Sequence, residues 1–165
     1  MKRGFILVEI SVTYVILSLA LVTLIPVFLM AIRASKNTEQ IVSATYLSSE
    51  LMEEVLLHKW DQSTSSPAKH IPNPGAIGVD SGETASDKRT FNDIDDFNGW
   101  TESPPKDPVM NSLAQFYPYS RSVSVAYADS NLNVSAAATD YKLVTVCTST
   151  KKLKPLCMNT VCTNR

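Results

Sequence analysis

The sequence is poor in the residues that build most reactive centres. Its two histidines, His58 and His70, lie far along the chain from the three cysteines, Cys147, Cys157 and Cys162, and no CxxC pair occurs. That spacing argues against a zinc site. No GxSxG, HExxH, P-loop or GxGxxG pattern is present, so no nucleophile elbow, metalloprotease helix or phosphate cradle is encoded, and no catalytic role is expected. Neither sign of charge dominates. Lys and Arg total 15 against 16 Asp and Glu, a net charge of −1, which gives no electrostatic reason to expect a nucleic-acid partner. Cysteine is absent before residue 147, and an odd count in an exported chain predicts one disulfide plus a remaining thiol.

What is abundant is apolar surface, and it is crowded into the first third. After a short basic leader, Met1–Gly4, comes the run Phe5–Ile32, whose single charge is Glu9 and single proline Pro26. As a helix this run is about 40 Å long, more than the ~30 Å hydrocarbon core of a bilayer. A secretory signal peptide would explain the basic start and the Ser18-Leu19-Ala20 triplet, but the apolar run continues well past Ala20 and Glu9 interrupts its beginning. A plain signal anchor explains the length and places Lys2 and Arg3 on the cytoplasmic side. It leaves Glu9 unexplained, because a carboxylate that close to lipid is costly and functional by default.

Arg3-Gly4-Phe5 followed by Glu9 resembles the class III signal of type IV pilins and type II secretion pseudopilins. The resemblance implies that a prepilin peptidase cuts between Gly4 and Phe5 and methylates the new amine of Phe5. It implies that Glu9 serves assembly, offsetting the amine of Phe5 in its own or an adjacent subunit. Two such charges are each costly in a low dielectric and much cheaper together. Pro26 stands where pilins usually carry a proline, and it cannot bond the carbonyl of Val22, so it marks a kink or a weak point in the helix. Ile6 and Val8 depart mildly from the usual threonine and isoleucine of the family.

Beyond Arg33 and Lys36 the pattern turns amphipathic. Ile41, Ala44, Leu47, Leu51 and Val55 form one stripe, with Gln40, Ser43, Glu50, Glu53 and Glu54 largely opposite. No Pro or Gly falls between Val27 and Ser66, so one helix from Phe5 to about Lys59 is predicted, about 80 Å long. Trp60 is expected to close the core beneath its second half. The organisation read from this is a leader over 1–4, a transmembrane and filament-core helix over 5–32, its amphipathic continuation over 33–60, and a head over 61–165.

The head begins with a long Pro-, Gly- and Ser-rich loop over 61–107, with a short β segment expected at Arg89–Phe91. Its acidic run offers Asp93, Asp95, Asp96, Asn98 and Asp107 as hard oxygens for calcium. The spacing does not fit an EF-hand, since Asn98 stands at the glycine position and Pro104 at the bidentate glutamate position. Structural turns are the favoured reading of these Asp and Asn residues, with Phe97 and Trp100 pinning the loop to the head. The run Asp93–Trp100, then Ser103-Pro104-Pro105, Arg121–Val125 and Lys142–Val146, occur in the same order in minor pilins similar to MSHA pilin protein D. That resemblance carries no biochemical role for the acidic run.

Alternation predicts strands at Ser122–Tyr127, Tyr141–Thr148 and Leu156–Thr163, within a strand region over 121–163. A basic turn holding Lys151, Lys152 and Lys154 joins the last two and reads as a solvated edge. Cys147 with Cys157 faces across that hairpin. Cys157 with Cys162 is the alternative, closing a small C-terminal loop as pilins often do. The expected fold class is α+β, a long N-terminal helix packed on a small antiparallel sheet. The resemblance implies a minor pilin with a single pass of the inner membrane and its head in the periplasm. It implies as partners prepilin peptidase, other pilin or pseudopilin subunits, and an inner-membrane assembly platform. A minor pseudopilin of a type II secretion system is the alternative, and a membrane-anchored periplasmic enzyme or binding protein a more distant one. Apart from calcium, no cofactor is expected.

Overall fold

A computed structural model describes residues 3–65, 69–151 and 154–165. Met1 and Lys2 of the leader, Pro67 of the long loop and Lys152 of the basic turn lie outside them, and Gly4 and Phe5 are described only as helix backbone. The first element, α1, spans Arg3–Leu56 and includes Pro26. The chain divides into two compact units, Met1–Gln40 and Ile41–Arg165.

The first unit is helix alone. Among the described residues its apolar side chains are uncovered, from Leu7 at 70% exposed to Ile32 at 39%. This helix is long and apolar enough to cross a membrane. Four hydroxyls of its apolar part bond within the helix: Ser11 donates to the Leu7 carbonyl, Thr13 to that of Glu9, Ser18 to that of Val15, and Thr23 to those of Leu19 and Ala20. Back-bonding of this kind removes the need for an outside partner in an apolar medium.

The second unit is α+β, and its sheet is a four-stranded antiparallel meander in the order β1-β2-β3-β4. The strands are β1 Thr101–Glu102, β2 Ser120–Ala128, β3 Tyr141–Ser149 and β4 Leu156–Thr163. Ala44, Leu47, Leu51 and Val55 of α1 are wholly buried, while Ile41, at the start of the expected stripe, is 45% exposed. Leu51, Met52 and Val55 share one core with Phe91, Ile94, Phe97, Trp100, Val123, Val125, Val144 and Val146. Each large aliphatic or aromatic side chain in this core contributes roughly 1.5–3 kcal/mol through burial. Trp60 is buried, as expected, and its indole donates to the Cys162 carbonyl at 3.2 Å. Ser48, on the buried face of α1, hydrogen-bonds Thr148 of β3 at 2.7 Å, so this buried polar pair is satisfied.

Three boundaries differ from expectation. The helix stops at Leu56, short of Lys59, because the chain turns at His58, whose amide bonds back to Val55, and the Lys59 carbonyl is taken by the amide of Ile94. Arg89–Phe91 is not β. A 3-10 turn, Lys88–Thr90, forms instead, because the Asp87 carboxylate accepts from the Arg89 amide and from its guanidinium. Part of the predicted loop becomes β1, paired through Thr101↔Ser122 and Glu102↔Arg121. Side-chain bonds also tie down the early part of the loop. Asp61 accepts from the amides of Ser63 and Gly75, and Asn164 exchanges two hydrogen bonds with the backbone of Ile71.

Candidate functional site

Two regions hold the residues singled out in the sequence. In the first unit, Glu9 lies exposed on the helix, beside a shallow groove lined by Ile10, Thr13, Tyr14 and Leu17. Among the described residues its carboxylate has neither an ion pair nor a hydrogen bond. Among the described residues it is an unpaired acid on an uncovered apolar surface. The helix runs through Pro26 without interruption.

In the second unit the acidic run is folded into the core, and alternation along the strands explains how. In β2 the buried positions are Arg121, Val123, Val125 and Tyr127, with Ala128 also buried at the strand's end, and in β3 they are Lys142, Val144, Val146 and Thr148. Period two thus carries one arginine and one lysine onto the core face. A buried cation must be paired, and the acidic loop and helix supply the partners.

Glu102 is the centre of the first group. Its Oε2 accepts from Arg121 Nη2 at 2.6 Å, Arg121 Nε at 2.9 Å and the Lys106 amide at 2.9 Å. Its Oε1 accepts from the Trp100 indole at 3.0 Å and lies 2.9 Å from Lys88 Nζ. Arg121 also donates to the Leu47 carbonyl and to Glu50, and Lys88 to Glu54, so α1, the loop and β2 share one charged network. Burial by itself would raise the Glu102 pKa, but the Arg121 charge and the hydrogen bonds from Lys106, Trp100 and Lys88 hold it below the usual glutamate value.

Lys142 centres the second group. Its Nζ donates to Asp95 at 2.7 Å and to the Trp60 carbonyl at 2.6 Å, and sits 4.2 Å from the centroid of the Trp60 ring. Asp95 and Lys142 belong to the two motif segments that were noted separately in the sequence, and here they form one ion pair.

The five candidate calcium ligands do not converge. Asp95 is held by Lys142, the Asn98 side-chain oxygen accepts from the Val125 amide, and Asp107 accepts from Val109 and Asn111 within its own turn. Gly99 has φ +83°, a left-handed conformation suited to glycine, and its amide reaches the Val123 carbonyl, which docks this turn against β2. Asp93 and Asp96 do meet, and a residue not anticipated, Asp80, joins them. Burial first, then the Asp95 and Asp96 carboxyls, push the pKa of Asp93 up to about 9. Cys147 and Cys157, opposite one another in β3 and β4, form the disulfide, and Cys162 is a free thiol. Against protein-family models, curated proteins and solved structures alike, the chain finds no match.

Sequence reasoning missed Glu102, Lys88 and Asp80, and it placed Glu50 and Glu54 on the solvent side. A signal existed for the first of these. Extending the alternation of Val123 and Val125 back by two residues puts Arg121 on the core face, which requires a buried acid nearby.

Proposed function

We propose that this chain is a minor pilin, a structural subunit of a type IV pilus-like filament. In this reading a prepilin peptidase removes Met1–Gly4 and methylates Phe5, and the apolar helix holds the chain in the inner membrane with its head in the periplasm. An assembly platform then transfers the helix from lipid into a filament among other pilin subunits. The observation that carries the reading is the uncovered apolar helix with its lone acid, Glu9, five positions after Gly4. Such a surface needs either lipid or other helices around it. The free amine made by cleavage supplies the opposite charge that Glu9 lacks. Arg121 and Lys88 tie the rest of the head to Leu47 and Glu54, in the part of α1 that belongs to the same unit.

Site-specific cross-linking tests the proposal. A photoreactive residue at Leu17 or Leu24, in cells expressing the full chain with its native assembly apparatus, is expected to capture another pilin-like subunit through that subunit's helix. Capture of lipid alone, in cells that make filaments, contradicts it. A captured subunit belonging to a secretion apparatus assigns the chain to the pseudopilin class.

A further inference from the structure

We infer that Asp80, Asp93 and Asp96, in the loop that covers the sheet, form a binding site for one divalent cation of the calcium type. The inference concerns the head alone and stands independently of filament assembly.

The three residues each present a carboxylate oxygen, and these oxygens all lie within 4.8 Å of one another. Oxygens on opposite sides of a calcium ion, each at ~2.3–2.6 Å, are separated by about as much. Asp93 and Asp96 are both only 1% exposed. Capping accounts for part of their arrangement. Asp93 Oδ1 accepts from the amides of Asp95 and Asp96, and Asp96 Oδ2 from those of Asn92 and Asp93. It does not account for the rest. Asp96 Oδ1 is buried without a hydrogen-bond partner, and so is the side-chain oxygen of the neighbouring Asn92. Buried oxygens of a carboxylate and an amide are rarely left unsatisfied, because the lost hydration is not recovered.

A further carboxylate stands beside them. Glu83 accepts from the Asp80 amide at 3.2 Å and from the Asn92 side-chain nitrogen. The buried cations of the head are already committed: Lys142 to Asp95, and Lys88 and Arg121 to Glu102 and the acids of α1. The cluster is thus a set of hard carboxyl oxygens with no protein cation paired to it among the described residues. Asp96 also borders a cavity of about 310 Å³ lined by Val79, Ser86 and Lys106, which gives a small ion a way in. All-oxygen donors select calcium or magnesium over softer metals. Several protein carboxylates at one point favour calcium, since magnesium keeps most of its water.

The test uses the full chain in detergent micelles, stripped of metal with a chelator and titrated calorimetrically with calcium chloride and with magnesium chloride. The expected result is one calcium bound per chain, more tightly than magnesium, with a higher unfolding midpoint in calcium than in chelator. Asp80→Asn, whose side chain takes no part in the capping, is expected to weaken calcium binding about tenfold or more with the far-ultraviolet circular dichroism unchanged. No binding heat and no midpoint shift in the unsubstituted chain at about 5 mM calcium overturns the inference. So does an Asp80→Asn chain that binds calcium as well as its parent. A substituted chain that is simply more stable than the parent in chelator, with the parent indifferent to calcium, identifies carboxyls sharing protons and overturns it too.

Discussion

Replacing Arg121 by Met is the sharpest probe of what holds the head together. The guanidinium is 1% exposed and makes five hydrogen bonds, two to Glu102 and one each to Glu50 and the carbonyls of Leu47 and Lys106. Methionine fills much of the same volume, so the loss is electrostatic more than steric. Removing one partner of a buried ion pair costs ~3–5 kcal/mol, because the other charge stays buried. Here Lys88 Nζ remains 2.9 Å from Glu102, which keeps part of the compensation and points to the lower end, about 3 kcal/mol. Against a total stability of ~5–15 kcal/mol that is a large fraction. The assay is urea unfolding of the full chain in micelles, followed by tryptophan fluorescence, since Trp60 and Trp100 both lie in the head core. The double variant Arg121→Met with Glu102→Leu removes both charges and should cost less than the sum of the two single changes. A loss below about 1 kcal/mol for Arg121→Met, or strict additivity in the double variant, would refute the claim that this network is a working structural unit.

Other outcomes follow from the same geometry. Glu102 has a pKa below its unfolded value of 4.5, so its carboxylate contributes stability above that pH; the contribution should fade as pH drops through the lowered folded value, and the unfolding midpoint measured from about pH 6 to about pH 3 should fall less steeply in Glu102→Gln. Replacing Cys147 and Cys157 by serine opens a short closed loop, ten residues apart in sequence, and should lower stability by about 2–3 kcal/mol, whereas Cys162→Ser should leave the disulfide intact and change stability by less than about 1 kcal/mol, both read by urea unfolding. Glu9→Gln should leave membrane insertion and leader cleavage unchanged but sharply reduce recovery of the chain in sheared filaments; normal recovery would remove the role given to Glu9.

Much of the architecture was legible because it follows from periodicity. The buried face of α1 through Ala44, Leu47, Leu51 and Val55, and the strands containing Val123, Val125, Val144 and Val146, are where three-to-four and two-residue spacing put them. The same rule held the less obvious information that Arg121 and Lys142 share those faces. It could not say which acids meet them, because Glu102 and Asp95 reach their partners through an irregular loop whose path depends on tertiary contacts. The short segment around Arg89 shows the opposite limit. Three residues of suitable composition for a strand were overridden by one side chain, Asp87, bonding to the nearest backbone amide. Asp80 was hidden for a related reason, since nothing in its local pattern distinguishes a carboxylate folded toward Asp93 and Asp96 from one left in water.

The filament account rests on a cut between Gly4 and Phe5 that exposes a charged amine to face Glu9. The most direct measurement is the intact mass and N-terminal sequence of the chain isolated from cells with an active prepilin peptidase. The account predicts a mature chain that lacks Met1–Gly4 and begins with N-methylated Phe5. A chain that retains Met1 in such cells contradicts it.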